Sequence, residues 1–232
     1  MQKIIGLEGF RGVAAFWVFT HHFLLIFYPD FYFSEHGWAN FLLNPDLAVA
    51  CFFVHSGLVL SRKSLMTEDK KFYFTNLFQQ IIKRYFRLLG PVLVSVIFAY
   101  LLFKGNLLYG IGYGQEIQSR WLQTYFHFTP DLKDALYQGL YASFFDFKSS
   151  TTYNSSLWTI SYEIISSYLL YFILLLIGLI PHKKAKYLLI PLAFIIGPYK
   201  GLMAFLLGAS LNFMPRLKLH FSLKIILFLI AI

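Results

Sequence analysis

Residues 11–23, RGVAAFWVFTHHF, place one arginine before nine uncharged residues and a pair of histidines after them. An uncharged run of this kind predicts a helix inside a membrane, with Arg11 at the membrane edge and His22 about 16 Å deeper at ~1.5 Å per residue. This spacing comes within about 20° of three full turns, so both side chains share one face. Ionisable side chains inside a membrane usually line a cavity or a bundle interior, so His22 is predicted to be functional. The pair predicts a slot that an anionic cosubstrate enters with its head group outward.

The composition predicts that the whole chain is a membrane protein. Hydrophobic residues make up 58% and charged residues 13% of the sequence, which predicts an all-α, polytopic transmembrane helix bundle rather than a soluble domain. The single cysteine, Cys51, excludes an intrachain disulfide, and the first apolar segment is predicted to be an uncleaved signal anchor. Apolar segments predict about seven spans, at residues 12–28, 47–60, 88–103, 157–180, 187–199, 202–214 and from 221 onward.

The distribution of charge predicts the orientation of the chain. With a cytosolic N-terminus, 15 of the 20 Lys and Arg residues fall on the cytosolic side, in accord with the positive-inside rule. Residues 105–156 then form an exoplasmic loop region, in which Thr129 is a candidate N-cap for an amphipathic helix from Pro130. The topology depends most on Lys200, because one bent helix over residues 187–214 would invert everything after it. Anchoring to anionic lipid explains the net charge of +9, so the charge does not indicate nucleic acid binding.

Residues 72–90 predict an amphipathic, basic interfacial helix that leads into the third span. Apolar side chains form one stripe, while Lys83, Arg84 and Arg87 share the other side. Two interpretations of the arginines remain open. They face lipid phosphate, or they bind a phosphate-bearing cosubstrate at the mouth of the slot.

Five segments, in this order, resemble acyltransferase family 3, whose members are multi-pass membrane O-acyltransferases. The segments are RGVAAFWVFTHH, CFFVHSGLVLSRK, KRYFRLLGP, NSSLWTISYE and FLLGASL. The resemblance spans nearly the whole chain and implies one membrane acyltransferase domain over residues 1–232, multi-pass in the plasma (inner) membrane. Because family members usually have about ten spans, it also implies that the sequence is C-terminally incomplete.

The same resemblance implies the reaction and the residues that carry it. Family members transfer an acyl group from acyl-CoA to polysaccharide, peptidoglycan, macrolide or lipid acceptors. The expected cosubstrate is therefore acyl-CoA, in particular acetyl-CoA, with no permanently bound cofactor, and the expected partners are the lipid bilayer and a cell-surface glycan acceptor. The site residues assigned on this basis are His22 and Glu163 as catalytic residues, Arg11, Arg84 and Arg87 for the phosphates of CoA, and Trp158, Ser56 and Asn154 for the acceptor.

Acyl transfer from a thioester to an alcohol needs a base, donors for the developing oxyanion and exclusion of water. His22 is the best-placed base, since an imidazole can accept a proton near neutral pH. Glu163 either orients the imidazole or holds the acceptor hydroxyl, or it only favours the start of a helix. His21 lies about 100° round the helix and is expected to pack or hydrogen-bond between helices. His55, where the family commonly has an apolar residue, has no assigned role. No His or Cys pair has the spacing of zinc ligands with a carboxylate partner, so the sequence predicts no metal site.

Two other classes of function compete with the acyltransferase. Residues 109–115, YGIGYGQ, are similar to a potassium-channel filter, in which aligned backbone carbonyls replace the water around the ion. Against a channel, no threonine precedes the segment and no pore helix leads into it. A transporter of the acyl donor or of a lipid-linked glycan would also need polar groups at mid-membrane. It would bind its ligand without cleaving a thioester.

Overall fold

The computed structural model describes residues 5–28, 44–196 and 200–213. Within these ranges the chain is all-helical, with 79% helix and no strand, so the predicted all-α class is confirmed. The seventh predicted span, from residue 221, lies outside the described residues. The helices that position the site are α1 Ile5–Phe27, α2 Pro45–Met66, α3 Lys70–Lys104, α4 Gly110–Glu116, α5 Leu132–Tyr137, α6 Trp158–Leu179, α7 Leu189–Ile195 and α8 Lys200–Ser210.

Helix α3 is one continuous helix of 35 residues, about 52 Å long at 1.5 Å per residue. The side chain of Asp69 caps its start, accepting a hydrogen bond from the backbone N–H of Lys71 at 2.9 Å. Residues 72–90, predicted as an interfacial helix that leads into the third span, form the first half of α3, and their interfacial position stays a prediction. One part of their apolar stripe packs against other helices, with Leu77 fully buried, whereas Ile82 and Phe86 are 63% and 66% exposed.

Helices α3 and α6 run antiparallel along each other. Near the start of α3, the Tyr73 hydroxyl donates to the carbonyl of Leu174 at 2.5 Å, in the last third of α6. Farther along α3, Ser95 Oγ accepts from Asn154 Nδ2 at 2.6 Å, just before α6 begins. The pairing brings the middle of α3 beside the first turns of α6, which decides the geometry of the site.

The segment after α6 folds back as a pair of short helices. Helix α7 has seven residues and α8 has eleven, fewer than the ~20 that a perpendicular span needs. The ring of Tyr187, before α7, lies 4.9 Å from that of Phe213, after α8. The ends of the two helices therefore meet, and the alternative of one bent helix over residues 187–214 is wrong.

Two glycines bring α2 and α8 into backbone contact. A Cβ on Gly57 would collide with the backbone of Phe205, and a Cβ on Gly208 would collide with that of Val54. Small residues of this kind allow close helix packing in membranes, where no hydrophobic effect drives helices together.

The bundle has two ends, each with a cavity. We call one the His22 end, because Leu25 near the end of α1, Pro45 at the start of α2 and Trp158 at the start of α6 line one cavity there. At the opposite end, Met66, Lys70 and neighbouring loops line another cavity. The predicted exoplasmic loop region, residues 105–156, lies at the His22 end, since its Trp121 lines the same cavity as Leu25.

Within the described residues, two helical segments are long and apolar enough to cross a membrane, judged by length and composition, namely Lys70–Lys104 and Ser155–Leu179. Shorter apolar helices occur at Arg11–Phe27 and Gly201–Ser210. The full set of seven spans and the cytosolic N-terminus stay predictions.

In the 105–156 region the structure excludes the channel filter, against which the sequence already argues, and corrects the predicted helix cap. Residues Gly110–Glu116 form an α-helix, so the carbonyls of the IGYG stretch point along a helix axis and cannot line a filter. The helix expected from Pro130 begins at Leu132 and is capped by Asp131 rather than Thr129, with the Asp131 carboxylate accepting from the N–H of Asp134 at 3.1 Å. An aspartate one residue before the helix satisfies the N–H groups that Thr129 is too far away to reach.

Candidate active site

The cavity at the His22 end collects most of the predicted site residues. Its volume is about 690 Å³, within the range typical of small-molecule sites. Helix α1 contributes Arg11 and His22, α2 contributes Ser56, and α6 contributes Trp158 and Glu163. The shared face predicted for Arg11 and His22 therefore opens into one cavity. We call it the His22 cavity.

The imidazole of His22 is fixed by its own helix. Its Nδ1 lies 2.8 Å from the carbonyl oxygen of Val18, one turn earlier. Because a carbonyl only accepts, Nδ1 carries the hydrogen, and in the neutral ring Nε2 holds the lone pair. The ring meets Trp121 edge-on at 6.2 Å. The half-buried imidazole thus has one nitrogen held by the backbone and one suited to accept a proton.

His21 also lines the cavity, although the sequence predicts that it packs or hydrogen-bonds between helices. It is 6% exposed and meets the His22 ring edge-on at 5.0 Å. Burial between helices agrees with the packing prediction, and the ring forms part of the wall beside His22.

A buried ion pair lies next to the cavity. Arg84 Nη2 of α3 donates to Glu163 Oε1 of α6, and the two side chains are 7% and 21% exposed. Ser167 joins both partners: its Oγ accepts from Arg84 Nε at 3.2 Å and donates to the Glu163 carbonyl at 2.5 Å. Ser56 Oγ donates to the same Oε1 at 3.4 Å. Glu163 is therefore held by α2 and α3 at once.

The position of Arg84 differs from the one predicted for it. The sequence places Arg84 at an open cytosolic mouth and Glu163 at the opposite, exoplasmic end of its span. The two side chains are in contact, so they lie at one depth, and the expected separation is wrong. The reason is the antiparallel register of α3 and α6, which carries Arg84 into the bundle. Arg87, one turn later, is exposed and does not line the His22 cavity.

Asn154 shapes the site from outside the His22 cavity. Its Oδ1 accepts from the N–H of Ser156 at 3.0 Å, and its Nδ2 donates to Ser95. The amide thus caps the 3-10 turn Ser155–Leu157 and ties it to α3. The sequence predicts that Asn154 binds the acceptor, and these two hydrogen bonds support a positioning role for it.

Two residues of the site lack any assignment from the sequence. Ser167 follows Glu163 by one helical turn, a spacing that could have identified it as a partner on the same face. Trp121 meets His22 across ninety-nine positions of sequence, and no local pattern predicts such a contact. His55 is buried and does not line the His22 cavity, so its role stays unassigned.

The described residues form a helical bundle with two long apolar helices, and an imidazole and a carboxylate line its His22 cavity beside the Arg84–Glu163 ion pair. Residues 4–232 match the family model Acyl_transf_3, described as an acyltransferase domain. The chain therefore belongs to acyltransferase family 3, as its five sequence segments suggest. Comparison with curated proteins and with solved structures gave no match.

Proposed function

We propose that the protein is an O-acyltransferase that moves an acyl group, expected to be acetyl, from acyl-CoA to a hydroxyl of a cell-surface polysaccharide, peptidoglycan or lipid-linked glycan. Membership of the acyltransferase family supports the transfer of an acyl group. The observation that carries the proposal is that Arg11, His22, Ser56 and Glu163, which come from three helices, line one cavity.

The proposed reaction assigns the proton to His22. The acceptor hydroxyl gives its proton to Nε2 as its oxygen attacks the thioester carbonyl carbon. The C–S bond then breaks, the ester forms, and the CoA sulfur leaves with the proton returned by the imidazolium. The hydrogen bond from Nδ1 to Val18 keeps the ring oriented throughout, which is the role that a carboxylate plays in other His-based sites.

Glu163 and Ser56 are proposed to hold the acceptor. Glu163 Oε1 is engaged by Arg84 and Ser56, whereas Oε2 makes no hydrogen bond within the part of the chain that the structure describes. A carboxylate fixed in this way can accept a hydrogen bond from a sugar hydroxyl and orient it toward His22. The Arg84 guanidinium acts through Glu163 and is a positioning group in this scheme.

Arg11 is proposed to bind a CoA phosphate. It lines the His22 cavity and is exposed, so a large anionic head group can reach its guanidinium from outside. In the proposed topology, with a cytosolic N-terminus and the seven spans that the sequence predicts, this opening faces the donor side. The loop region 105–156 then faces the acceptor side in the plasma (inner) membrane.

One observation favours a transporter as the second candidate. Helices α7 and α8 are each too short to span a bilayer, and discontinuous helices beside mid-membrane charges are typical of transporters. A transporter moves its ligand intact, so thioester cleavage separates the two proposals.

The decisive variant is His22→Ala, assayed in membranes with acetyl-CoA for release of free CoA and with mass spectrometry of surface glycans for the ester. Loss of the base should reduce both signals by about 10²- to 10⁴-fold, at unchanged abundance of the protein. The matched control is His127→Ala, since His127 is exposed, lies outside the lining of the His22 cavity and bonds to the nearby carbonyl of Gln123. Robust CoA release and ester formation without His22 would refute the mechanism, and binding of acetyl-CoA without cleavage in the native chain would favour the transporter.

A further inference from the structure

A second cavity adjoins the His22 cavity. Its volume is about 360 Å³, and both cavities are lined by Trp121 and Ser156. It is built from the end of α3, the segment around Trp121 and the turn before α6. We call it the Trp121 cavity. Because the two cavities share these lining residues, a molecule bound in the second cavity lies next to the space beside His22.

Aromatic rings and hydroxyls dominate the lining of the Trp121 cavity. Tyr109, Trp121 and Tyr125 contribute rings, and the rings of Trp121 and Tyr125 pack edge-on at 5.0 Å. The side-chain hydroxyls of Ser155 and Ser156 line the same cavity and make no hydrogen bond within the described residues. The cavity thus offers flat apolar faces beside hydroxyls that can pair with a ligand.

One residue in the wall of the Trp121 cavity, Phe126, has an unfavourable backbone conformation. Phe126 has a φ of 68°, in the left-handed region that is unfavourable for a bulky residue. Its ring packs edge-on against Phe103 at 5.3 Å, and both residues line the cavity. Non-glycine residues in this region concentrate at binding sites, where the surrounding structure holds them in place.

We infer that the Trp121 cavity binds a sugar ring of the acceptor, next to the ring whose hydroxyl is acylated. This inference rests on the proposed function, because it places the acceptor beside His22. A sugar ring presents C–H groups on its faces and hydroxyls on its rim, and the cavity pairs aromatic rings with free hydroxyls. The described lining contains no Lys or Arg, which a phosphate group would need. A plain acyl chain would leave the serine hydroxyls without partners.

Photocrosslinking in the cells that make the protein tests this inference directly. The photoreactive p-benzoylphenylalanine replaces Tyr125 in the full chain, cells are irradiated, and the purified protein is hydrolysed for monosaccharide analysis. The matched control replaces Tyr141, an exposed tyrosine of the same loop region that lines neither cavity. Tyr109, which is 74% exposed, serves as a second position in the cavity should Tyr125 not tolerate the probe.

The expected result is covalently attached sugar at Tyr125 or Tyr109 and none at Tyr141. Capture should persist in the His22→Ala background, because binding does not need the base. If the native chain captures sugar but transfers no acyl group, the proposed function is refuted, while the sugar-binding site is supported. Lipid adducts alone, no sugar at either cavity position, or equal capture at Tyr141 would overturn the sugar site.

Kinetics give an independent readout of the same site. Tyr125→Ala should raise the KM for purified surface glycan about three- to tenfold, the scale of one aromatic contact, and Tyr125→Phe should keep most of the native value. An unchanged glycan KM in Tyr125→Ala would contradict the inference.

Discussion

Removing one member of the Arg84–Glu163 pair should destabilise the bundle far more than removing both. The two side chains are 7% and 21% exposed, so a single charge left behind lies in the interior without its counter-charge. Breaking a buried ion pair by removing one partner costs about 3–5 kcal/mol. Arg84→Met and Glu163→Leu should each lower the free energy of unfolding by that amount.

The double variant Arg84→Met with Glu163→Leu should recover most of the loss. Replacing a buried pair by apolar residues of similar volume is close to neutral. We therefore expect the double variant to lie within about 2 kcal/mol of the native chain, although the two single losses add up to about 6–10 kcal/mol. The difference is the coupling free energy of the pair.

Unfolding by SDS titration in mixed micelles, followed by circular dichroism, measures these free energies. The matched control is the Lys148–Asp146 pair, whose Nζ–Oδ2 distance is 3.2 Å and whose side chains are 67% and 45% exposed. Solvent screening should limit its coupling to about 1 kcal/mol or less. If the double variant of Arg84 and Glu163 loses as much free energy of unfolding as the two single variants together, the two charges act independently. That result would refute a stabilising contact between them.

Three further predictions follow from separate parts of the chain. Gly57→Leu should prevent α2 and α8 from meeting and abolish a monodisperse peak in size-exclusion chromatography, whereas Gly90→Leu, with nothing within 4 Å of the added Cβ, should keep that peak. Burial raises the pKa of the Tyr153 phenol above its ordinary value, so the folded state holds this proton more tightly. The melting temperature should then fall as pH rises above about 10, and less steeply in Tyr153→Phe. With Cys51 replaced, a cysteine introduced by Ser150→Cys should react with an impermeant thiol reagent on intact cells, and one introduced by Lys70→Cys should not. The opposite pattern would show that the chain has the inverse of the proposed topology.

The sequence predicts what lies within one helix. Arg11 and His22 are on the same helix, and the geometry of three turns is enough to place them on one face. The structure brings both into one cavity. Helical class and the apolar segments follow from composition for the same reason, since each depends only on neighbouring residues.

Contacts between helices could not be predicted in this way. The basic stripe of residues 72–90 has the pattern of an interfacial helix, and the pattern alone does not tell whether lipid or another helix covers its apolar side. The structure packs α6 against the side of α3 that carries Leu77 and Arg84, which brings Glu163 beside Arg84, while Ile82 and Phe86 of the apolar stripe stay exposed. The hairpin of α7 and α8 depends likewise on the contact between Tyr187 and Phe213, which local periodicity does not specify.

The carboxylate of Glu163 belongs both to the Arg84–Glu163 ion pair and to the proposed acceptor site. Glu163 joins α2 through Ser56 and α3 through Arg84, while its Oε2 is proposed to hold the acceptor. A loss of activity in Glu163→Gln could therefore come from a weakened bundle or from a misplaced hydroxyl. Ser56→Ala separates the two, because it removes a bond of 3.4 Å and leaves the ion pair intact. It should leave the free energy of unfolding within about 1 kcal/mol of the native chain while raising the KM for glycan. An unchanged KM for glycan in Ser56→Ala would show that Ser56 does not help to hold the acceptor.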